Sequence, residues 1–399
     1  MAATTPLRHF SFSLPEGLDP QPELAELRRD EPVARVRLPS GDTAWMITRY
    51  DDVRTVLADP RFSRAAAAAP SGPRITAGRP SLPSSILAAD PPAHTRLRKL
   101  VASAFTTRRS KQLRSSIEGL VVELLDTMEN GGAPADLVTH LTQPLPLAVI
   151  CELMGVPDTG REPFHAWADA LKSVTAQPAE ATTAALADVT AYLGELVAAT
   201  RADPTDDLLS TLVVARDQHE RLSEEELVSF CLVLLLGGYQ TTAERLAGMI
   251  YTLLCHPDQL DLLRAYPDRV ATAVEELLRY PQFTATGLLR VVTEDLELGG
   301  VMLRAGDAVM PIMSSANRDE SVFTHADQLD LFRADNPHLT FGHGVHHCLG
   351  AQLARIELTE ALGALLRRFP GLRLAGPEHP PLWKTGLTIR APRSLPVCW

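Results

Sequence analysis

A long apolar segment constrains the fold of this 399-residue chain more than any other feature. Its helical pattern runs from Ser223 to about Leu254, with Glu224–Glu226 in the first turn, where the helix dipole favours acidic side chains. At 1.5 Å per residue, a helix of this length spans roughly 45 Å, the full width of a molecule of this size. Apolar residues lie on every face as far as Leu236, so we expect the helix to be buried all round.

Helical periodicity dominates the chain from Ala93 onward, and strand patterns are few and short. No repeat and no linker-like change of composition interrupts the sequence, so a single domain over residues 1–399 is predicted, mainly α with a small β portion. The proline-rich stretch Ala65 to Leu87 is expected to be irregular. Further helices are predicted at Gln21–Arg29, Tyr50–Ala58, Ala93–Ala104, Lys111–Met128, Leu145–Met154, Arg161–Val174, Glu180–Ala202, Asp206–Ala215, Ala271–Arg279 and Ala351–Arg368. Strands are predicted for a hairpin, Pro32–Leu38 with Thr43–Thr48, and at Leu288–Val292, Leu296–Leu298 and Val309–Ile312.

Charge and cysteine usage exclude several classes of protein. A net charge of -11 argues against a nucleic-acid partner. The five cysteines are scattered without CxxC spacing, which is typical of a reducing compartment, so we expect a cytoplasmic protein. The N-terminal stretch has no apolar region typical of a signal peptide or anchor. The longest apolar run, Phe230 to Gly238, is about half of what a bilayer needs, so no membrane partner is expected.

A basic stretch from Pro91 to Ser116 runs against the acidic balance, since it has seven positive residues and no acid. One interpretation is a solvated helix face. The other is a patch for an acidic partner or an anionic cofactor. The seven residues are Arg96, Arg98, Lys99, Arg108, Arg109, Lys111 and Arg114.

A glycine-rich segment near the C-terminus contains the most specific pattern in the sequence. Phe341 to Gly350 reads FGHGVHHCLG and leads directly into the helix predicted at Ala351–Arg368. Its glycines allow the backbone to bend tightly and to approach a flat ligand or a sulfur. Cys348 stands at the N-terminus of that helix, where unpaired N–H groups and the dipole stabilise a thiolate. A thiolate in this setting is a good iron ligand.

Two other interpretations of this segment are weaker. A zinc site could draw on four potential ligands, His343, His346, His347 and Cys348. Adjacent residues cannot all turn toward one tetrahedral ion, however, and structural zinc normally uses two ligand pairs with a longer spacer. A dinucleotide-binding loop would need a third glycine after Gly342 and Gly344 and a preceding βαβ pattern.

The segment resembles the haem-binding loop of bacterial cytochromes P450. The family pattern F-x-x-G-x-x-x-C-x-G is matched by Phe341, Gly344, Cys348 and Gly350. The resemblance implies that Cys348 is the axial thiolate ligand of haem b iron, and that the other three residues shape the cofactor-binding loop. It also implies the cytochrome P450 fold, a triangular helical prism with a small β portion.

A second match is the E-x-x-R of AVEELLRY, formed by Glu276 and Arg279. Three residues apart on a helix, the two can pair, although such a pair alone would be an ordinary surface ion pair. In the family that the chain resembles, the pair is buried and completed by a second arginine, here Arg333. The resemblance gives these three residues a structural role in holding the haem-loop scaffold.

A third match, at residues 90–105, reads DPPAHTRLRKLVASAF. His94 and Arg98 are four residues apart and share one helix face. Buried haem propionates need cationic or hydrogen-bonding partners. The resemblance assigns His94 and Arg98 to one propionate and Arg290 and His346 to the other. The rest of the basic stretch is a candidate docking face for an acidic electron donor, formed by Arg108, Arg109, Lys111 and Arg114.

The long helix supplies a fourth match, LLLGGYQTTAER. Gly238 and its neighbour thin the helix, which lets a ligand approach the backbone and permits a local kink. The resemblance gives the Thr241 hydroxyl the role of donating a hydrogen bond to bound oxygen. The alternative is a hydroxyl that bonds back to the carbonyl four residues earlier, a common habit of threonine in buried helices.

Gln240 departs from the family pattern, which generally has Asp or Glu before the threonine. A carboxylate can relay protons by changing its charge, whereas an amide cannot. Gln240 is still able to order a water chain, with Thr241 and Thr242 supplying hydroxyls.

The resemblance implies a monooxygenase that uses O2 and two electrons to hydroxylate or epoxidise a mid-sized lipophilic small-molecule substrate in secondary metabolism. No flavin or iron–sulfur pattern is recognisable, so we expect a ferredoxin and a ferredoxin reductase to supply electrons. Two alternatives stay open. One is a haem-thiolate enzyme that performs oxidative coupling or dehydration, which Gln240 favours. The other is a catalytically silent protein that binds haem or recruits partners.

Overall fold

The computed structural model describes residues 7–10, 17–76, 85–102, 105, 113–157, 163–172, 179–205, 207–217, 222–284, 286–386 and 389–399. The chain forms two compact units. The first unit contains Met1–Arg96, Arg279–Gln328 and Asp335–Cys348, and the second contains Leu97–Leu278, Leu329–Ala334 and Leu349–Trp399. The single domain inferred from the sequence stays a prediction.

A six-stranded mixed sheet forms the centre of the first unit. Its hairpin pairs Val33–Arg37 with Thr43–Ile47, within the predicted bounds, and the second of these strands pairs in parallel with Ala308–Pro311. The strand order is Arg8–His9, Val33–Arg37, Thr43–Ile47, Ala308–Pro311, Arg290–Val292 and Phe62–Ser63. A separate hairpin joins Leu296–Leu298 to Val301–Leu303.

Both faces of this sheet are buried, because successive side chains along a strand point to opposite faces. Ile47 and Val309 belong to one apolar cluster, while Met46 and Met310 belong to another. Each fully buried side chain of this size contributes roughly 1.5–3 kcal/mol relative to an exposed one. The two clusters therefore fix the sheet and the loops that follow its strands.

Helices of the first unit pack around the sheet, and helices make up most of the second unit. The first unit has Pro22–Asp30, Tyr50–Ala58, Arg64–Ala68 and Met313–Ala316, with short 3-10 turns at Ile86–Ala88 and Gly344–His346. The second has Arg114–Gly131, Pro144–Met154, Phe164–Lys172, Ala179–Ala202, Leu208–Asp217, Glu224–Gly238, Gln240–Leu254, Pro257–Ala265 and Ala351–Arg368, with a π turn at Val138–Thr142 and a 3-10 turn at Pro267–Arg269. Two further helices, Ala93–Val101 and Val270–Arg279, pass from one unit to the other along the chain.

Short strands complete the second unit. Ala135–Asp136, Pro396–Cys398 and Arg373–Leu374 form a three-stranded antiparallel sheet, and Leu382–Trp383 pairs with Pro392–Ser394. Together with the helices, these strands confirm the mainly α class with a small β portion.

The long helix begins as predicted but is broken in the middle. A capping box at its start joins the Ser223 hydroxyl to the N–H of Glu226, and the Glu226 carboxylate to the N–H of Ser223. The predicted single helix is instead two consecutive helices, Glu224–Gly238 and Gln240–Leu254, separated at Tyr239, whose φ is -80° and ψ is -75°. The preceding glycine pair makes this departure from helical geometry easy, as the sequence had suggested.

The whole stretch Glu224–Leu254 is long and apolar enough to cross a membrane. The shorter apolar run Phe230 to Gly238 alone is not. Within the described residues, 56% of the most apolar window of the whole stretch is buried by protein. Core helices of soluble proteins pass the same test, so the result is a weak indication of a membrane.

The stretch Ala65 to Leu87 is less irregular than expected at its two ends. Arg64–Ala68 is helical because the Ser63 hydroxyl caps it by accepting from the N–H of Ala66, and alanine has the highest helix propensity. Residues 77–84 lie outside the described residues, as do Arg108, Arg109 and Lys111 of the basic stretch. Arg114, another member of that stretch, pairs with Glu360.

Candidate active site

The loop that carries Cys348 is held by its own backbone in the first unit. The Cys348 N–H donates to the carbonyl of Phe341 at 2.8 Å, which closes the loop at its two ends. Cys348 is exposed, and the helix Ala351–Arg368 begins three residues later, with Gly350 as its N-cap. An accessible sulfur is what iron ligation requires.

Glycines shape this loop through tight backbone bends, as the sequence suggested. Gly342 and Gly344 have φ of +76° and +70°, a region that favours glycine. A Cβ on Gly344 would lie 2.8 Å from the Leu57 carbonyl oxygen, so Gly344 is needed for close packing against a helix. Gly350 has an ordinary φ of -86°, and among the described atoms nothing lies within 4 Å of its Cβ position. Positive φ therefore requires glycine at positions 342 and 344, and the predicted role of Gly350 beside a flat ligand stays a prediction.

A buried cationic cluster of the first unit includes His346 from the same loop. The rings of His94 and His346 are 4.3 Å apart, and Arg290, only 5% exposed, donates to the carbonyl of Phe62. Burial, followed by the positive charges of His94, Arg290 and Arg64, lowers the pKa of His346 to about 3. Burial likewise lowers the pKa of both Arg64 and Arg290 to about 10. The cluster has more positive groups than its one carboxylate, Asp90, can balance.

Two buried nitrogens of this cluster are available to bind a further group. Among the described residues, neither Arg290 Nε nor His346 Nε2 has a hydrogen-bond partner, although both atoms are buried. The buried Arg290 N–H needs an acceptor, the neutral imidazole of His346 donates through Nε2 in one of its two tautomers, and surplus positive charge favours an anion. A carboxylate such as a haem propionate meets both needs, so the residues present fit that group. Arg98, four residues after His94 on the same helix, is half-buried.

Arg64 and Asp90 are members of the cluster that sequence reasoning missed. The Asp90 carboxylate accepts from the Arg64 N–H at 2.9 Å and from the Ser63 hydroxyl at 2.5 Å, which ties the two segments together. The strand Phe62–Ser63 pairs with the strand that carries Arg290, and this pairing brings the two arginines together. A two-residue strand has no periodicity to read, so its pairing cannot be predicted from the sequence.

The three residues that were assigned a structural role are all buried. Arg333 donates through Nε to Glu276 at 3.1 Å, and Glu276 also accepts from the N–H of Asp330 at 3.0 Å. Arg279 donates to three backbone carbonyls of the first unit, those of Asn317, Ala326 and Gln328. Bonds of this kind hold irregular loops that have no secondary structure of their own. The assigned role of the three residues stays a prediction.

In the second unit, the Thr241 hydroxyl bonds back to the carbonyl four residues earlier, which is the alternative that the sequence left open. The hydroxyl donates to the carbonyl of Gly237 at 2.5 Å, so in this conformation the proton is not available to another acceptor. The predicted role as donor stays a prediction, whereas the hydroxyl lone pairs are free to accept.

The glycine that faces open space is Gly237 and not Gly238. Among the described atoms, nothing lies within 4 Å of a Cβ built on Gly237, whereas one on Gly238 would lie 2.7 Å from Cδ1 of Ile150. Gly238 is therefore needed for packing between two helices. The approach of a ligand to the backbone, predicted for the pair of Gly237 and Gly238, stays a prediction, and Gly237 is the position with room for it among the described atoms.

Gln240 belongs to a buried polar cluster of the second unit. Its Nε2 donates to Asp169 at 2.7 Å and to Glu244 at 3.0 Å. Lys384 donates to the same two carboxylates at 2.8 and 3.0 Å. The sequence did not indicate Asp169, Glu244 or Lys384, because they lie on three segments that are far apart along the chain.

Comparisons with known proteins agree with these features. The cytochrome P450 family model matches residues 162–391. The chain is 48% identical over 397 residues to nocardicin C N-oxygenase of Nocardia uniformis subsp. tsuyamanensis, covering 99% of each chain. It is 44% identical to mycinamicin IV hydroxylase/epoxidase of Micromonospora griseorubida, covering 98% of each. A crystal structure of cytochrome P450mel 107F1 with biaryl coupling reactivity matches with a TM-score of 0.94 and 43% identity, covering 99% of this chain and 100% of that one.

The chain therefore belongs to the cytochrome P450 family. The predicted fold, the haem-thiolate cofactor and the monooxygenase class are all confirmed by this membership. Enzymes of this class use O2 and electrons from redox partners.

Proposed function

We propose that this monooxygenase hydroxylates or epoxidises a mid-sized lipophilic metabolite in secondary-metabolite biosynthesis. The observation that carries the proposal is the less buried face of the long helical stretch. Val233, Gly237 and Thr241 follow one another at four-residue spacing on this face, and none is charged. Such a surface accommodates apolar carbon beside a single hydroxyl, and the hydroxylase/epoxidase activity of the mycinamicin relative supports the reaction type.

Each group of residues described above has a separate role in holding the cofactor or binding near it. Bound haem supplies a thiolate-ligated iron at which dioxygen is reduced and cleaved. Cys348 would hold the iron, and Phe341, Gly344 and Gly350 would shape the loop around it. Arg290 and His346, with His94 and Arg98, would hold the propionates. The Thr241 hydroxyl would accept a hydrogen bond while it donates its own to the Gly237 carbonyl.

We further propose that a ferredoxin and a ferredoxin reductase supply the electrons, in the cytoplasm. Redox partners are general for bacterial relatives, which supports the need for a donor. The exposed side chains of Arg96 and Lys99, on one helix of the basic stretch, are suited to an acidic protein surface. Charge reversal at Lys99 that leaves the reduction rate at low salt unchanged contradicts this docking face.

Oxidative coupling or dehydration is a second candidate. Two observations favour it: Gln240 stands where the family generally has an acid, and the solved relative P450mel 107F1 has biaryl coupling reactivity. Coupling joins two substrate radicals and leaves no oxygen atom from O2 in the product, so the two candidates are distinguishable.

The test is turnover of a metabolite panel under ¹⁸O2 with a ferredoxin system, followed by mass spectrometry. We expect a product that contains one ¹⁸O atom. A product that is oxidised but carries no label supports coupling and overturns oxygen insertion. If no metabolite is turned over and none shifts the Soret band, the chain is a silent haem-binding protein and both candidates are wrong.

A further inference from the structure

Two arginines of the buried cationic cluster are held together by reciprocal hydrogen bonds. Arg290 donates through Nη1 to the carbonyl of Phe62 at 3.2 Å, and Arg64 donates through Nη1 to the carbonyl of Leu289. Each arginine thus bonds to the segment that carries the other one. Antiparallel pairing of the two strands in these segments fixes the arrangement further.

Both arginines are charged at neutral pH. Burial lowers the pKa of each to about 10, which still lies well above 7. For Arg64, the positive charge of Arg290 adds to this lowering, because two like charges repel each other. Two neighbouring cations in a partly buried site cost free energy unless an anion compensates them.

The carboxylate of Asp90 compensates only one of the two charges. It accepts from the N–H of Arg64 at 2.9 Å and from the Ser63 hydroxyl at 2.5 Å. Its charge acts on both guanidinium groups, since it raises the pKa of each against the effect of burial. One carboxylate and two guanidinium groups leave one net positive charge.

The two arginines differ in the hydrogen bonds that they can offer. Arg64 donates through Nε to the carbonyl of Leu87 at 2.9 Å, so both its Nε and one of its terminal nitrogens bond to backbone. Arg290 Nε is buried and has no hydrogen-bond partner among the described residues. Arg64 therefore contributes charge to the cluster, and Arg290 contributes charge together with an available N–H.

We propose that Arg64 is a positioning residue of the haem site, which offsets the charge of Asp90 and so leaves the charge of Arg290 for a haem propionate. Without Arg64, the charges of Arg290 and Asp90 would cancel, and the site would offer an anion no net attraction. The proposal depends on the haem cofactor and not on the substrate or the reaction type.

The two charges should act on haem reduction in opposite directions. Reduction of the iron adds one negative charge to the haem, so a positive residue nearby favours the ferrous state and a negative one disfavours it. Removing the charge of Arg64 should make the haem harder to reduce. Removing the charge of Asp90 should make it easier to reduce.

The first experiment measures the ratio of ferrous to ferric haem in purified holoproteins at one fixed solution potential. We expect this ratio to fall about threefold to tenfold in Arg64→Met, which is about 30–60 mV for a one-electron couple. It should rise in Asp90→Asn, whose amide oxygen still accepts from the Arg64 N–H. The double variant should lie within about twofold of the wild type. The matched control is Arg61→Met, since Arg61 is a more exposed arginine that pairs with Asp59, and its ratio should not change.

The second experiment separates charge from packing. Arg64→Lys keeps the charge but loses the planar fork that reaches two carbonyls. We expect its thermal unfolding temperature to fall, while its ratio of ferrous to ferric haem stays within about twofold of the wild type. Haem transfer to an apo-globin acceptor should show a Kd about tenfold higher in Arg64→Met and no higher in Asp90→Asn.

Three results contradict the proposal. A purely structural role predicts that Arg64→Met and Asp90→Asn shift the ratio in the same direction and both release haem, because each removes bonds that hold the same segment. A ratio in Arg64→Lys as low as that in Arg64→Met excludes the charge as the cause. If Arg64→Met does not fold, Asp90→Asn decides by itself, since a ratio that fails to rise there overturns the proposal.

Discussion

Glu276 and Arg333 form a buried ion pair at 3.1 Å, with side-chain exposures of 0% and 8%. The neighbouring Glu275 pairs with Arg355 at 2.7 Å, but in that pair both side chains are about a third exposed. Two adjacent glutamates on one helix thus make the same kind of bond in different surroundings. Breaking a buried pair leaves an uncompensated charge in the interior, whereas an exposed pair is replaced by water.

Glu276→Ala should therefore lower the free energy of unfolding by about 3–5 kcal/mol, and Glu275→Ala by about 1 kcal/mol or less. Chemical denaturation of the two variants beside the wild type measures both. Equal losses of unfolding free energy in the two variants would show that burial does not make the Glu276 ion pair more important for stability.

Cys348→His should abolish the red-shifted Soret band that the reduced carbon-monoxide complex of a thiolate-ligated haem shows, because imidazole is a neutral ligand. Cys255→Ser, at another exposed cysteine, should keep the band. Difference spectroscopy of the two purified holoproteins decides the matter. A red-shifted band that survives in Cys348→His is incompatible with this cysteine as the ligand.

Arg290→Ala should weaken haem binding, because it removes a buried cation whose Nε has no partner among the described residues. A lost charge-assisted bond of about 1.5–3 kcal/mol corresponds to roughly a tenfold to hundredfold rise in Kd. Arg61→Ala is the control, since Arg61 is exposed and pairs with Asp59. Haem transfer to an apo-globin acceptor measures both constants. Unchanged retention in Arg290→Ala would remove this residue from the cofactor site.

Thr241→Ala should lower the fraction of reductant that ends in product by about tenfold, since general acid–base groups and their positioning contribute that much or more. Thr252 offers a matched control on the same helix, because its hydroxyl also donates to the carbonyl four residues earlier, that of Gly248 at 2.8 Å, but is deeply buried. Thr252→Ala should alter stability alone. Product, peroxide and reductant are measured together, and parallel behaviour of the two variants would argue against a special role for Thr241.

Gly344→Ala should destabilise the protein more than Gly306→Ala does. Both glycines have positive φ, so each substitution introduces backbone strain of about 1–3 kcal/mol. Only at Gly344 does the new Cβ also collide with backbone, at 2.8 Å from the Leu57 carbonyl oxygen. The free energy of unfolding should fall by about 1–3 kcal/mol more in Gly344→Ala than in Gly306→Ala, and this difference measures the steric collision. Thermal unfolding of the two holoproteins compares them.

Features that depend only on residues close together along the chain were predicted from the sequence. The helix start at Ser223 and the loop from Phe341 to Gly350 are local patterns, and the helix Ala351–Arg368 has the predicted bounds. Local chemistry decides such features, because caps, turns and helix periodicity act over a few residues. The family, and with it the haem-thiolate class, followed from one such local pattern.

Tertiary structure decided everything that joins distant segments. Arg64 meets Arg290 through a two-residue strand, and Lys384 reaches Asp169 across 215 positions of sequence. Periodicity indicates which face of a segment is buried, but not which other segment covers it. The sequence showed that Gln240 lacks a carboxylate, and only the packed second unit showed that two carboxylates bind its amide.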